Sequence, residues 1–366
     1  MSQLQELEHD PSDPRRSQRV SFAGGGMSIL LLAIVATALS AVLVRAAIAY
    51  AHRRGMLDQP GQRRSHTIPT PRGGGIGLVA AAVATMPIAL IMLPMPWSWP
   101  VAVTLATTTA LTAGVGWWDD HRSLPILPRL GIQLLACAAA SVAILCDGGL
   151  SLAWLPLLLV AGVWSINLHN FMDGIDGLLA QQAIFVGAGL GWLAWMAGQP
   201  ALAGAAACLA AASLGFWFFN RPRARIFMGD VGSGTIGLLI FALTAMLWRT
   251  ETTLLWPALT LSSSFVVDAA LTLLNRMLAG KRWYTPHREH LYQWLVRSGM
   301  SHAAGGMWFL VWNVLVSAPL AILAWIYPKL AFPVCALAYL AASAAWTLIK
   351  RQRLRRAKHR VRHVVT

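Results

Sequence analysis

Long apolar stretches recur down the chain, separated by short polar strings. Each is about 18–24 residues or slightly less, the length needed to cross a hydrocarbon core of ~30 Å as a helix. They fall near Met27–Tyr50, Ile76–Leu93, Trp99–Trp118, Leu130–Leu145 and Leu152–Ile166, and then near Leu179–Ala197, Ala201–Phe219, Thr235–Trp248, Leu254–Leu274, Ala304–Ile326 and Leu330–Ile349. The pattern predicts an all-α integral membrane protein, a polytopic bundle of about 11 transmembrane helices. The first run has no small-residue cleavage pattern and reads as a retained helix. Residues 1–26 are expected as a flexible N-terminal tail, 27–350 as the transmembrane catalytic domain and 351–366 as a basic cytoplasmic tail.

The charges sort the connections into two sets. Taken alternately, segments 51–74, 119–129, 167–178, 220–232, 276–303 and 350–366 hold 23 of the 29 lysines and arginines, whereas the opposite connectors carry only Arg249 and Lys329. The positive-inside rule places the basic set in the cytoplasm, with the N-terminus outside and the C-terminus inside. The tail KRQRLRRAKHRVRH follows a membrane helix directly, so it reads as a topology signal drawn to anionic lipid and not as a nucleic-acid site.

Composition excludes a soluble protein with an anchor: 57% of residues are hydrophobic and 12% charged, about half the ~25% charged share of a soluble domain. Cys137, Cys146, Cys208 and Cys335 show no metal-ligand spacing and read as small packing residues.

Against this background, five aspartates in three polar strings stand out: Asp119 and Asp120 in WWDDHRSL, Asp173 and Asp176 in NLHNFMDGIDGL, and Asp230 in FMGDVGSG. All five fall on the predicted cytoplasmic side. Ionised groups beside membrane helices are costly and are expected in functional roles. Adjacent carboxylates such as Asp119–Asp120 repel unless a cation, a shared proton or full solvation relieves them. Asn167, Asn170, Asp173 and Asp176 recur at spacings of three, near one face of a helix, and their oxygen atoms favour Mg²⁺ or Mn²⁺ over zinc. The glycines around Asp230 free N–H groups at a helix N-terminus, a place suited to anions. Arg72, in RRSHTIPTPRGGG, is open between phosphate contact and a topology signal. His287 and His290 in PHREHLYQ lack a matching zinc partner, and contacts to sugar or diphosphate are favoured. Asp268, within an apolar run, reads as a helix-packing or salt-bridge group near Arg276 and not as catalytic.

In this order, SHTIPTPRGGG, DDHRSL, NLHNFMDGIDGL, FMGDVGS and HREHLYQ resemble the polyprenyl-phosphate N-acetylhexosamine-1-phosphate transferase family, glycosyltransferase family 4, from about Arg63 to Gln293. The resemblance implies transfer of an N-acetylated sugar 1-phosphate from a UDP-sugar to undecaprenyl or another polyprenyl phosphate, with release of UMP. This would be the first step of O-antigen or related envelope polysaccharide synthesis in a bacterial inner membrane. It implies that Asp230 and Asn170 hold Mg²⁺ (or Mn²⁺) on the nucleotide diphosphate and that Asp119 or Asp120 binds or deprotonates the lipid phosphate. Phe227 would stack on uracil, Asp176 would reach its polar edge and Arg129 would touch phosphate. Asp173, Asn167 and Arg72 would belong to the same pocket, and His287, Arg288 and His290 would read the sugar. The implied partners are polyprenyl phosphate, a UDP-N-acetylated sugar, the membrane and a second copy of the chain in a homodimer, with no nucleic acid. The branch that makes lipid I carries a run of histidines where this chain has His-Arg-Glu-His, which argues against a muramyl-pentapeptide donor. From another class, a divalent-cation transporter would place its carboxylates along a pore near the midplane.

Overall fold

The computed structural model describes residues 14–59, 69–282, 285 and 287–365. Residues 1–13 of the expected tail, and Arg63 through Ile68 of the string before the second span, lie outside the described residues. The chain folds into helices α1 (Pro14–Arg54), α2 (Gly75–Met92), α3 (Trp99–His121), α4 (Ile126–Asp147), α5 (Leu155–Phe171), α6 (Leu178–Met196) and α7 (Pro200–Asn220). There follow α8 (Asp230–Thr250), α9 (Leu255–Leu261), α10 (Ser263–Leu278), α11 (Leu291–Arg297), α12 (His302–Trp312), α13 (Ala318–Ile326) and α14 (Ala331–Val365). The strands among the described residues, β1 (Leu57–Asp58) and β2 (Thr70–Pro71), pair antiparallel beside the end of α1.

Among the described residues, nine helices or helix pairs are long and apolar enough to cross a membrane, and α9 with α10 makes a tenth span bent by 73°. α3 adds an eleventh predicted segment. Its 23 residues span ~35 Å, though its threonines lower its hydropathy. The chain is thus a multi-pass, all-α membrane protein. Two boundaries differ from the sequence reading. α1 already starts at Pro14, so its helix extends into the predicted tail, and α14 runs through the basic segment to Val365.

α8 is the axis of the bundle. Its apolar window is 89% buried, against 17% for the peripheral α1, which follows from α8 being hydrophobic all round. It packs on α5, α3, α2 and α6. Close approach is needed at its first turn, where a Cβ on Gly75 of α2 would stand 2.5 Å from the Gly232 Cα.

The bend between α9 and α10 frees backbone groups inside the apolar layer, where each must find a partner. Gln182 of α6 reaches the Leu261 carbonyl at 3.5 Å, Asn313 donates to Gln182 at 2.6 Å, and Ser264 donates to Asn313 at 3.0 Å. Asn313 opens a five-residue π-helical turn that joins α12 to α13, so two backbone irregularities face each other across one polar network.

Candidate active site

The polar strings meet at one end of the bundle. The opposite end is closed differently, by an Arg249–Asp147 ion pair with the guanidinium stacked 3.6 Å from the Trp97 ring centroid.

Gly229, with φ of +77°, turns the chain into α8, and a Cβ there would fall 2.4 Å from an Asp120 carboxylate oxygen. Asp120, from the last turn of α3, fills that space. It accepts the N–H groups of Asp230 at 3.0 Å and Val231 at 3.2 Å, and pairs with Arg72 at 2.9 Å, its side chain wholly buried. It therefore caps α8 as an N-terminal acceptor. Its neighbour Asp119 faces elsewhere, pairing with Arg129 at 2.6 Å and accepting the Leu124 N–H at 2.6 Å.

Asp230 is the hub. Arg72 stands 3.2 Å from one of its oxygens, Arg129 stands 3.3 Å from the other, and the Asn170 amide donates to it at 3.1 Å and to Ser233 at 3.0 Å. Burial, then the nearby Asp230 charge, pushes the Asp173 carboxyl up to about 7. Asp119, Asp120, Asp173 and Asp230 are thus matched by two guanidinium groups, leaving a surplus of negative charge on hard oxygen donors.

The four groups spaced by three do not converge on one point. Asn167 and Asn170 lie on α5, but Asn167 turns into the bundle and donates to Gln133 at 2.9 Å. Asp176 lies beyond the helix end and accepts the N–H groups of Arg223 at 3.1 Å and Ala224 at 3.2 Å, with His302 Nδ1 3.2 Å away. Burial would raise its pKa, but the His302 bond and charge and the two N–H bonds together hold it below the usual carboxylate value. With Phe227, Asp176 lines a cavity of about 1070 Å³.

The segment that begins at His287 is fastened to this centre. Its anchor is Asp268 of α10, 1% exposed, which accepts the N–H groups of Leu291 and Tyr292 at 2.7 and 3.3 Å and the Trp346 indole at 3.0 Å. Arg276 pairs with Glu289 instead of Asp268. The Tyr292 hydroxyl then donates to the Phe171 carbonyl at 2.9 Å. A Cβ on Gly174 would come within 2.0 Å of that hydroxyl, so the contact demands glycine. His290 is buried against Phe171 and Tyr292, while His287 packs on it at 5.0 Å between ring centroids. Burial, then the His290 charge, holds His287 down at about 4, so both of its states near pH 7 are neutral tautomers. Burial and the Arg297 charge hold the Arg288 guanidinium below its ordinary value. Asp268 and Tyr292 were not singled out as site residues by the sequence. Their signal was present only as an Asp in an apolar run and a tyrosine beside the histidines.

Among the described residues, no three His, Cys, Asp or Glu side chains form a ready ligand set for a metal; the arginines stand on the Asp230 oxygens. The oxygen donors and surplus negative charge do fit a hard dication, with the Asn170 oxygen interchangeable with its amide nitrogen.

The model of the family described as "Glycosyl transferase family 4" matches residues 101–248. Over this stretch the chain is similar to glycosyl transferase family 4. The matched stretch holds Asp119, Asp120, Arg129, Asn170, Asp173, Asp176 and Asp230; Arg72 and the segment from His287 contact it from outside. Among relatives, the decaprenyl-phosphate N-acetylglucosaminephosphotransferase of Mycobacterium tuberculosis (strain CDC 1551 / Oshkosh) is 28% identical over 335 residues, 77% of this chain and 80% of that protein. The probable undecaprenyl-phosphate N-acetylglucosaminyl 1-phosphate transferase of Bacillus subtilis (strain 168) is 28% identical, covering 68% and 72% of the two chains. The undecaprenyl-phosphate alpha-N-acetylglucosaminyl 1-phosphate transferase of Escherichia coli (strain K12) is 26% identical, covering 69% and 72%.

Proposed function

We infer that the protein transfers an N-acetylhexosamine 1-phosphate from a UDP-sugar to polyprenyl phosphate. An oxygen of the lipid phosphate forms a bond to the β-phosphorus, the bond from that phosphorus to the bridging oxygen breaks, and UMP leaves. The observation that carries this reading is the convergence of Asp119, Asp120, Asp173 and Asp230 with Arg72 and Arg129 at one end of an apolar bundle. The names of the relatives support the acceptor and the donor class.

The chemistry is limited by charge. Two unit charges 4 Å apart repel by about 4 kcal/mol at an effective dielectric of 20, and both reactants carry more than one. Arg72 and Arg129, poised on either oxygen of Asp230, supply mobile positive charge for the phosphates. Asp119 holds Arg129 from behind, and Asp120 fixes the N-terminus of α8 and with it Asp230. Asp230 and Asn170 would hold Mg²⁺ or Mn²⁺, which when bound neutralises the diphosphate. Positioning and charge neutralisation are sufficient for phosphoryl transfer, and no covalent enzyme intermediate is needed. Phe227 offers an aromatic face for uracil, and the His287–His290 segment offers neutral imidazoles and Arg288 for the sugar. The proposal includes a bacterial inner-membrane location with the site facing the cytoplasm and the N-terminus outside, assembly as a homodimer, and a role in starting an O-antigen or related envelope polysaccharide.

The test is release of UMP by the purified protein in nanodiscs with polyprenyl phosphate, Mg²⁺ and a panel of UDP-N-acetylated sugars. Turnover with at least one donor, abolished in a folded Asp230→Ala variant, is expected. No UMP from any donor overturns the proposal.

A further inference from the structure

The stretch His287–His290 has no helix or strand of its own before α11 begins at Leu291. Side chains hold its backbone instead. Lys350 donates to the Glu289 carbonyl at 3.0 Å, Arg297 donates to the Arg288 carbonyl at 3.3 Å, and Gln293 accepts the His290 N–H at 3.3 Å. Asp268 fixes the start of α11, through the N–H groups of Leu291 and Tyr292. The residues that precede α11 need a second anchor.

Glu289, between Arg288 and His290, turns its carboxylate into a knot of cations. Arg276 of α10 donates to one oxygen at 2.5 Å, and Lys281, just past the end of that helix, reaches both oxygens at 3.1 and 3.2 Å. The two pairs differ in weight. The Lys281 side chain is 51% exposed, a setting in which an ion pair contributes little. The Arg276 side chain is 7% exposed, and a buried guanidinium deprived of its carboxylate is strongly unfavourable. Arg276 also donates to the Arg282 carbonyl at 2.9 Å and to Thr285 Oγ1 at 3.4 Å, so it grips the chain ahead of His287 as well. Burial would raise the Glu289 carboxyl, but the Lys281 bond and the Arg276 and Lys281 charges together hold it below its usual value. α14 closes the knot from a third side. Lys350 lies 4.1 Å from the Trp346 ring centroid, and the Trp346 indole donates to Asp268 at 3.0 Å.

We propose that Glu289 is a positioning residue for the donor sugar: with Arg276 it latches the His287–His290 segment to α10 and so sets how His287 and Arg288 are presented. This rests on the transferase reading for the identity of the ligand. Charge-assisted bonds with fixed geometry suit such a role, because they add orientation as well as energy. Arg72, Arg129 and Asp230, which face the phosphates, belong to other parts of the chain and bond to one another's partners around α8. The latch therefore acts on the sugar end of the donor and leaves the phosphate end alone. Its loss is felt by a UDP-sugar and not by UDP.

The full-length protein in nanodiscs is compared with Glu289→Gln, Glu289→Asp and Lys281→Gln by steady-state kinetics, UDP calorimetry and amide hydrogen exchange. With the UDP-N-acetylated sugar that turns over fastest, Glu289→Gln should raise the donor KM about tenfold, the loss expected for one charge-assisted contact. The kcat, the KM for polyprenyl phosphate and the affinity for UDP should stay within about twofold of wild type, a split that general loosening of the fold would not give. Exchange should quicken from Thr285 to Leu291 and not in α5 or α8. Glu289→Asp keeps the charge and should recover most of the donor KM. Lys281→Gln, at an exposed position, should raise that KM about two- to threefold and serves where Glu289→Gln does not fold. An unchanged donor KM in the folded variants, a parallel fall in UDP affinity, or unchanged exchange from Thr285 to Leu291 each overturns the proposal. Quickened exchange there in a protein releasing no UMP from any donor leaves the latch standing and removes the transferase reading.

Discussion

The capping role of Asp120 separates it from its neighbour by experiment. Asp120→Ala removes the acceptor for two N–H groups at the start of α8 and leaves Arg72 with Asp230 as its remaining close carboxylate. Loss of a helix cap costs about 0.5–2 kcal/mol. Breaking a buried pair costs up to about 3–5 kcal/mol, less here because Arg72 keeps one partner, so a total of roughly 2–4 kcal/mol is expected. Melting of the detergent-solubilised protein should fall by roughly 3–8 °C. Asp120→Asn keeps an acceptor oxygen but not the charge and should fall between wild type and Ala. Asp119→Asn, whose contacts are to Arg129 and a single loop N–H, should melt within about 1–2 °C of wild type while losing most of its turnover. An Asp120→Ala protein that melts like wild type, or an Asp119→Asn protein destabilised as much as Asp120→Ala, would refute the division of labour.

Other consequences can be measured in the same preparations. Gly174→Ala pushes a methyl group into the Tyr292 hydroxyl, and should cost more turnover than Tyr292→Phe, which loses one hydrogen bond worth about 1 kcal/mol; equal activity of Gly174→Ala and wild type would contradict the docking of α11 on the Asn170–Asp176 turn. Tyr292→Phe should raise the KM for the UDP-sugar and leave that for the lipid alone. Asp176 has a depressed pKa in the folded protein, so its stabilising contribution is present above the unfolded carboxylate value near ~4 and is lost as pH falls through the folded value. Asp176→Asn should therefore flatten the acid limb of the melting profile, and an unchanged limb would count against the Asp176–His302 pair. Asn313→Leu leaves Gln182 and Ser264 without their shared partner and should lower melting by a few degrees, about 1–3 kcal/mol for buried groups left unpaired.

The helical bundle was legible because the bilayer imposes both helix length and hydropathy, and every predicted apolar run coincides with a helix or with a helix pair broken within the run. What pattern reading missed is the bend at Ser262 and the π-helical turn at Asn313. Their signals are a few polar residues 50 positions apart, and only packing brings them together. The polar strings meet at one end of the bundle, around Asp230. The spacing of three suggested one common face for Asn167 through Asp176, but α5 ends at Phe171, and beyond that point the helical period no longer applies. Asn167 therefore serves packing with Gln133, and Asp176 anchors the arginine turn. Asp120 reads from sequence as one of two equivalent carboxylates, yet its geometry is set by Gly229, 109 positions later. Asp268 looked like a lone charge in a membrane run; apart from Thr272, four residues on in its own helix, its donors come from α11 and α14, which no local pattern links to it.

The most direct test of the central claim follows the donor's β-phosphorus. With a UDP-N-acetylated sugar labelled with ³²P at that position, the label should enter the lipid fraction together with the sugar, in a diphosphate, and the released UMP should be unlabelled. Label leaving in UDP or as inorganic phosphate, with sugar alone reaching the lipid, would contradict it.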